Sequence, residues 1–214
     1  MTEVLSASDL CCERDERVLF ENLSFSLHSG QLIQVVGKNG SGKSTLLRIL
    51  CGLHQSYDGD VYYCKAPTGD VSDDFREALL YFGHQQGIKA GLTVRENLEW
   101  YCKIQPRLEA RKIDEALERV GLAEYDDAFC NQLSAGQKRR VNLARLYMHV
   151  NPQGSVWVLD EPFTAIDKQG VAALETHLQR FLSQGGAVII TTHQEMSIGG
   201  ALTQLNLDAG ELNV

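Results

Sequence analysis

The sequence lacks a Cys-x-x-Cys pair and any zinc-type cysteine spacing. Its six cysteines, at positions 11, 12, 51, 64, 102 and 130, therefore read as reduced, small hydrophobes of a cytosolic protein. No uninterrupted apolar run approaches the ~18 residues that a membrane-crossing helix needs. If the chain works at a membrane, another protein must do the crossing. The opening stretch, MTEVLSASDLCCERDER, carries acids and lacks the apolar segment of a signal peptide. Positive charge is in short supply as well. The formal net charge is −8 and the isoelectric point is near 5.2, which argues against a protein that grips nucleic acid by its phosphates and favours an ordinary cytosolic one. Internal repeats and low-complexity segments are missing.

What is present suits one globular domain of 214 residues with room for a small inserted subdomain. Apolar residues make up 43% and charged residues 22%, enough to build a core. VLFENLSFSLHSGQLIQVVG alternates and then turns continuously apolar, predicting a sheet with a hairpin at Ser29-Gly30. STLLRILCGL predicts a helix ending at Gly52, DGDVYYC a turn and strand, and EALLYF a buried strand. From about Thr93 to Val150 the pattern is mainly helical. Strands return in SVWVLDEP and GAVIITTH, with a helix over KQGVAALETHLQRFLSQGG between them, and LTQLNLDAGEL predicts a last strand and turn. This order predicts an α/β core, about 1–84 and 151–214, interrupted by a helical insertion at about 93–150.

Three stretches carry chemistry. GKNGSGKST, from Gly37 to Thr45, satisfies G-x-x-x-x-G-K-[ST] between a strand and a helix. Gly37, Gly40 and Gly42 let the backbone curl, so that the N–H groups of Lys38, Asn39, Ser41 and their neighbours face an anion. The helix that follows adds its N-terminal dipole. Lys43 supplies charge for the β- and γ-phosphates, and Ser44 an oxygen for Mg²⁺. This loop alone does not choose among a GTPase, a kinase and an ATPase. In VWVLDEP the strand runs into two carboxylates: Asp160 is placed to hold the ion and Glu161 to polarise an attacking water. An acidic turn at a strand end would read the same way without the phosphate loop. LSAGQKRR reads as a helix start capped by Ser134, with Gly136 opening the backbone.

Taken with a histidine after VIITT, these stretches resemble those of ABC-type ATPases, whose signature is LSGGQ; here its third residue is Ala135. The resemblance spans nearly the whole chain. It implies a P-loop NTPase fold with a RecA-like core, an antiparallel β-subdomain and a helical insertion. It also implies ATP and Mg²⁺ as ligands, with ATP sandwiched between two copies of the chain. Ser134 and Gly136 of one copy would face the γ-phosphate held by the other, Asp167 would lie at the seam, and His193 would contact the γ-phosphate. The family stacks adenine on an aromatic upstream of the phosphate loop. Here that slot holds Glu13 or Arg14, and an arginine can stack on a base face.

HQQGIKAGLTVRENL, DEPFTAIDKQGVAALE and GGAVIITTHQ are each similar to the ATP-binding subunits of bacterial cytochrome c maturation complexes. That resemblance implies a peripheral protein on the cytoplasmic face of the inner membrane, working with integral-membrane subunits. It couples ATP turnover to haem export or to release of a haem-loaded chaperone. By the same resemblance Gln85 reaches the Mg²⁺ and the attacking water, with Gln86 structural or partner-facing, and Ile88 to Thr93 lines the groove for a membrane-subunit helix. Gly87 and Gly91 leave the loop free to bend. No direct haem contact is expected: His54 and His84 lie in loops without a paired ligand, and neither Cys-Pro nor Cys-x-x-Cys-His occurs. A soluble clamp on nucleic acid is disfavoured by charge, and a non-hydrolysing switch by the presence of Glu161.

Overall fold

Alternating burial along β1 (Glu3–Arg14) and β2 (Arg17–His28) marks strands with one face in a core and one in solvent. In the computed structural model, which describes residues 2–85, 87–164, 166–196, 198, 202–208 and 211–213, these strands pair antiparallel. With β4 (Asp58–Tyr63) and β5 (Ala66–Pro67) they form a four-stranded sheet in the order β2-β1-β4-β5. The turn joining β1 to β2 is Asp15-Glu16, both at positive φ, 52° and 60°, as a tight two-residue hairpin requires.

The second sheet is mostly parallel. β3 (Leu32–Val36), β7 (Val156–Asp160) and β8 (Ala187–Thr191) are mostly apolar and buried almost throughout because both of their faces are covered. With β6 (Leu79–Phe82), β9 (Leu202–Asn206) and β10 (Glu211–Asn213) they take the order β10-β9-β3-β8-β7-β6, antiparallel only between β9 and β10. Ser29-Gly30 is therefore not a hairpin. β2 and β3 belong to different sheets, and the turn carries the chain from one to the other. Half-buried alternation and a continuous apolar run belong to different layers, which explains the change of pattern at that point. The expected strand EALLYF is shorter than its apolar run: Glu77 and Ala78 end a short helix, α2 (Ser72–Ala78).

Helix α1 (Lys43–Leu50) buries Leu46, Leu47, Ile49 and Leu50 in one core with Leu5, Leu10, Leu23 and Leu27 of the antiparallel sheet and Ile33, Val35, Val158 and Ile189 of the parallel sheet. Each such side chain contributes ~1.5–3 kcal/mol. These elements form one unit, Met1–Gly83, Pro152–Pro162 and Gln179–Val214.

The second unit, His84–Asn151 and Phe163–Leu178, is helical. It contains α3 (Val94–Ile104), α4 (Ile113–Arg119), α5 (Ala135–Met148) and the first part of α6 (Lys168–Ser183). Thr93 and Glu96 form a capping box at the start of α3. Leu98 and Tyr101 of α3, Ile113 and Leu117 of α4, and Val141 and Leu146 of α5 are buried. A buried cation stands among them. The Arg145 guanidinium lies 4.1 Å over the Tyr101 ring and donates to Asn142 Oδ1 at 2.6 Å and Gln105 Oε1 at 3.2 Å. Asn97, fully buried, donates to the carbonyls of Lys89 and Thr93 and accepts from the Lys89 N–H. It thereby fixes the 88–93 loop against α3. No helix of the described residues is long and apolar enough to cross a membrane.

Candidate functional site

β3 ends at Val36, and the next residues curl into a loop that opens α1. The loop depends on glycine at two positions. Gly42 has φ 97°, and a Cβ there would meet Leu19 Cβ at 3.0 Å and the Phe20 ring at 3.3 Å. A Cβ on Gly37 would meet Ser41 Oγ at 2.6 Å. Lys43 Nζ donates back to the carbonyls of Gly37 at 2.7 Å and Lys38 at 2.9 Å, so the ammonium is held over the loop. Lys38 N donates to Asp208 Oδ2 at 3.2 Å, tying the loop to the end of β9. The buried Ser41 Oγ has no hydrogen-bond partner among the described residues. A helix start leaves its first N–H groups without intrahelical acceptors, and those of α1 open here.

A cleft of about 560 Å³ stands over the loop. Asn39, Gly40, Gly42, Lys43, Ser44 and Thr45 line one side, with Asp160, Glu161 and His193 beside them. Gly37, Lys38 and Ser41 shape the loop without lining the cleft. Asp160, at the end of β7, is buried. Its Oδ1 accepts from Thr191 Oγ1 at 2.7 Å, and Thr191 is its register partner on β8. The same hydroxyl and the Thr191 carbonyl both accept from Glu161 N at 3.1 Å. Glu161 itself sits at φ 51°, a left-handed conformation that costs a non-glycine residue of order 1 kcal/mol. Its Oε1 lies 3.5 Å from His193 Nε2. The nearby Tyr81 hydroxyl is pushed up to about 12, first by burial and then by the Cys51 and Asp160 charges.

Ser44 and Asp160 supply hard oxygen donors on one cleft wall. Among the described residues no cluster of three or more His, Cys, Asp or Glu could hold a metal alone. That donor set fits Mg²⁺, which takes one or two protein oxygens and completes its shell with water and substrate phosphate.

The signature residues gather in the helical unit. Ser134 caps α5: its Oγ accepts from Gln137 N at 3.2 Å, and Gln137 Oε1 accepts from Ser134 N at 2.9 Å. Ser134, Gly136, Gln137, Arg140, Ile166 and Asp167 line a second cleft of about 670 Å³. Asp167 Oδ1 accepts from Gly170 N at 2.8 Å, capping α6. Gln85 is exposed and stands outside the signature cleft of its own unit, and Gln86 lies outside the described residues. Sequence reasoning missed Thr191, the link between Asp160 and Glu161. It also missed Arg140, whose Nη1 donates to the Val120 and Gly121 carbonyls at the end of α4. Thr191 had a signal in its place at the end of an apolar run; Arg140 had none beyond its charge.

Comparison with known proteins identifies the family. The ABC transporter family profile matches residues 20–164. The cytochrome c biogenesis ATP-binding export protein of Hahella chejuensis is 48% identical over 208 residues, 97% of this chain and 97% of that protein. Its namesake in Pseudomonas fluorescens is 50% identical, covering 91% and 90% of the two chains, and that of Salmonella typhi 51%, covering 90% and 91%. The chain belongs to the ABC transporter family, among the cytochrome c biogenesis ATP-binding export proteins. It is an ATP-binding, ATP-hydrolysing subunit of that family, and the α/β P-loop fold expected from the sequence is the fold observed. An ATP-binding subunit of an ABC transporter of known structure superposes with a TM-score of 0.82 at 21% identity, over 95% of this chain and 85% of that one, which speaks to the fold alone.

Proposed function

We propose that the chain couples ATP binding and hydrolysis to haem export, or to release of a haem-loaded chaperone, in c-type cytochrome biogenesis. It does so as a peripheral subunit on the cytoplasmic face of the bacterial inner membrane, bound to integral-membrane partners. The names of the relatives support the process. The observation that carries the chemistry is the grouping of Lys43, Asp160, Glu161 and His193 on one cleft.

The loop N–H groups and Lys43 receive the β- and γ-phosphates. Ser44 and Asp160 hold the Mg²⁺, which when bound neutralises charge on the transferring phosphoryl group. Glu161 takes the proton of the attacking water, and His193 faces the γ-phosphate. Gln85 is assigned to the Mg²⁺ and the attacking water by the family resemblance of HQQGIKAGLTVRENL. A second copy presents Ser134 and Gly136, an α5 helix start aimed at the same negative charge, with Asp167 at the seam. ATP closes the two copies on each other, hydrolysis reopens them, and the 88–93 loop hands the motion to a membrane-subunit helix.

Glu161→Gln tests this reading. Loss of the base should lower turnover at least a hundredfold and leave an ATP-bound dimer on a sizing column. The same tagged variant, isolated from membranes, should carry integral-membrane proteins with it. Full ATPase activity would remove Glu161 from the base role, and recovery without membrane partners would remove the transport role.

A further inference from the structure

The interior of the helical unit holds a charge that the proposed chemistry does not use. Arg145 of α5 is 6% exposed. Its Nη1 and Nη2 donate to the neutral amide oxygens of Asn142 and Gln105, and its Nε has no hydrogen-bond partner among the described residues. A cation taken out of water without a carboxylate beside it is destabilising. An apolar side chain of similar volume would fill the place more cheaply. A break of this kind with ordinary core packing marks a position where stability yields to another requirement.

What the cation does face is a ring. The guanidinium lies 4.1 Å over Tyr101 of α3 and fixes its plane. The Tyr101 hydroxyl in turn donates to the Gly87 carbonyl at 2.8 Å. Gly87 stands two residues after Gln85. It has φ 61°, and a Cβ there would meet the Tyr101 hydroxyl oxygen at 2.6 Å. Glycine at 87 is therefore required by a close approach, and the bending freedom expected of it is taken up by a contact. Gly91, by contrast, has open space where its Cβ would stand. Two further contacts from α3 hold the chain just beyond Gly87. Asn97 binds the backbone of Lys89 and Thr93, and Lys89 Nζ lies 4.2 Å over the Trp100 ring. Of these fastenings, Tyr101 is the one nearest Gln85 in sequence.

We infer that Tyr101, held by Arg145, is a positioning residue for ATP hydrolysis: its hydroxyl pins the backbone at Gly87 and thereby aims Gln85. Two residues of extended chain span at most about 7 Å, so a fixed Gly87 sets the reach of Gln85 from its C-terminal side. The inference rests on the reading of Gln85 as the glutamine that reaches the Mg²⁺ and the attacking water, and it names what aims that side chain.

Steady-state ATPase of the tagged chain isolated from membranes tests it. Tyr101→Phe keeps the ring under the guanidinium and removes only the hydroxyl. It should lower kcat about fivefold, the scale of one buried hydrogen bond, and leave KM for ATP within about twofold, since the phosphate loop is untouched. Arg145→Met releases the ring. It should lower kcat by a similar factor, and adding Tyr101→Phe to it should lower kcat less than about twofold further. Fully additive losses in that pair would overturn Arg145 as the group that holds the ring. Gln85→Ala should lose more turnover than either. Adding Tyr101→Phe to Gln85→Ala should also lower kcat less than about twofold further, because the pin has nothing left to aim. A merely structural hydroxyl would lower turnover by the same factor with or without Gln85, and that result overturns the inference. So does parental kcat in Tyr101→Phe beside an impaired Gln85→Ala. Parental turnover in Gln85→Ala itself would overturn the glutamine reading, and the inference would fall with it.

Discussion

Thr191→Val tests how Asp160 and Glu161, the carboxylates proposed for Mg²⁺ and water, are held. Thr191 is 1% exposed and Asp160 5%, so neither gains a water partner when the hydroxyl goes. Valine keeps the shape. What disappears is the 2.7 Å bond donated to Asp160 Oδ1 and one of two acceptors for Glu161 N. A hydrogen bond to a charged group is worth ~1.5–3 kcal/mol. Glu161 N retains the Thr191 carbonyl at 3.1 Å, so its share of the loss is small, roughly 0.5 kcal/mol or less. The expected destabilisation is therefore about 2 kcal/mol, read as a lower urea midpoint with an unchanged slope. Turnover should fall about tenfold if two-thirds of that energy also positions Asp160 and Glu161 in the transition state, since ~1.4 kcal/mol is a factor of ten. Thr191→Ser restores the hydroxyl and should recover most of both. A valine variant within about 0.5 kcal/mol of the parent, with parental turnover, would refute the reasoning, because the bond is charge-assisted and buried.

Ser134→Asp keeps a good cap on α5 but places a carboxylate where the partner's γ-phosphate is proposed to sit. Thermal stability should move by a few tenths of a kcal/mol, while ATP-driven dimerisation on a sizing column should vanish; a dimer of parental strength would remove Ser134 from the seam. His149 gives a pH prediction. Burial first, then the Arg107, His177 and Lys112 charges, pull it from 6.5 down to about 3. It stays neutral in the folded chain, whereas the unfolded chain takes up its proton below pH 6.5, so its stability contribution is full above that pH and is lost toward pH 3. At pH 5 the loss is about 2 kcal/mol. His149→Gln should flatten the stability curve between pH 7 and 5, and equal slopes for the two proteins would contradict the burial argument.

The phosphate loop was legible in the sequence because its chemistry is local. Nine consecutive residues set the glycine conformations, the helix start and the Lys43 reach, and no distant contact is needed to recognise them. The Ser134 cap was legible for the same reason: Ser134 and Gln137 satisfy each other within a single helical turn. So were β3, β7 and β8, since a strand covered on both faces is apolar at nearly every position; Gln34, Asp160 and Thr191 are their buried polar members. The hairpin placed at Ser29-Gly30 was not, because a turn looks alike whether its two strands pair or part. Only the register, which sends β2 to one sheet and β3 to the other, separates the cases. Thr191 acquired its role by lying opposite Asp160 in the ladder, 31 residues away in sequence. Asp167 joined Ser134 on one cleft, and Arg14 met Arg17 on one rung, by packing and register. Local backbone chemistry wrote the glycine-rich loop into the sequence, while the partners of the carboxylates depend on strand order, which a linear pattern does not encode.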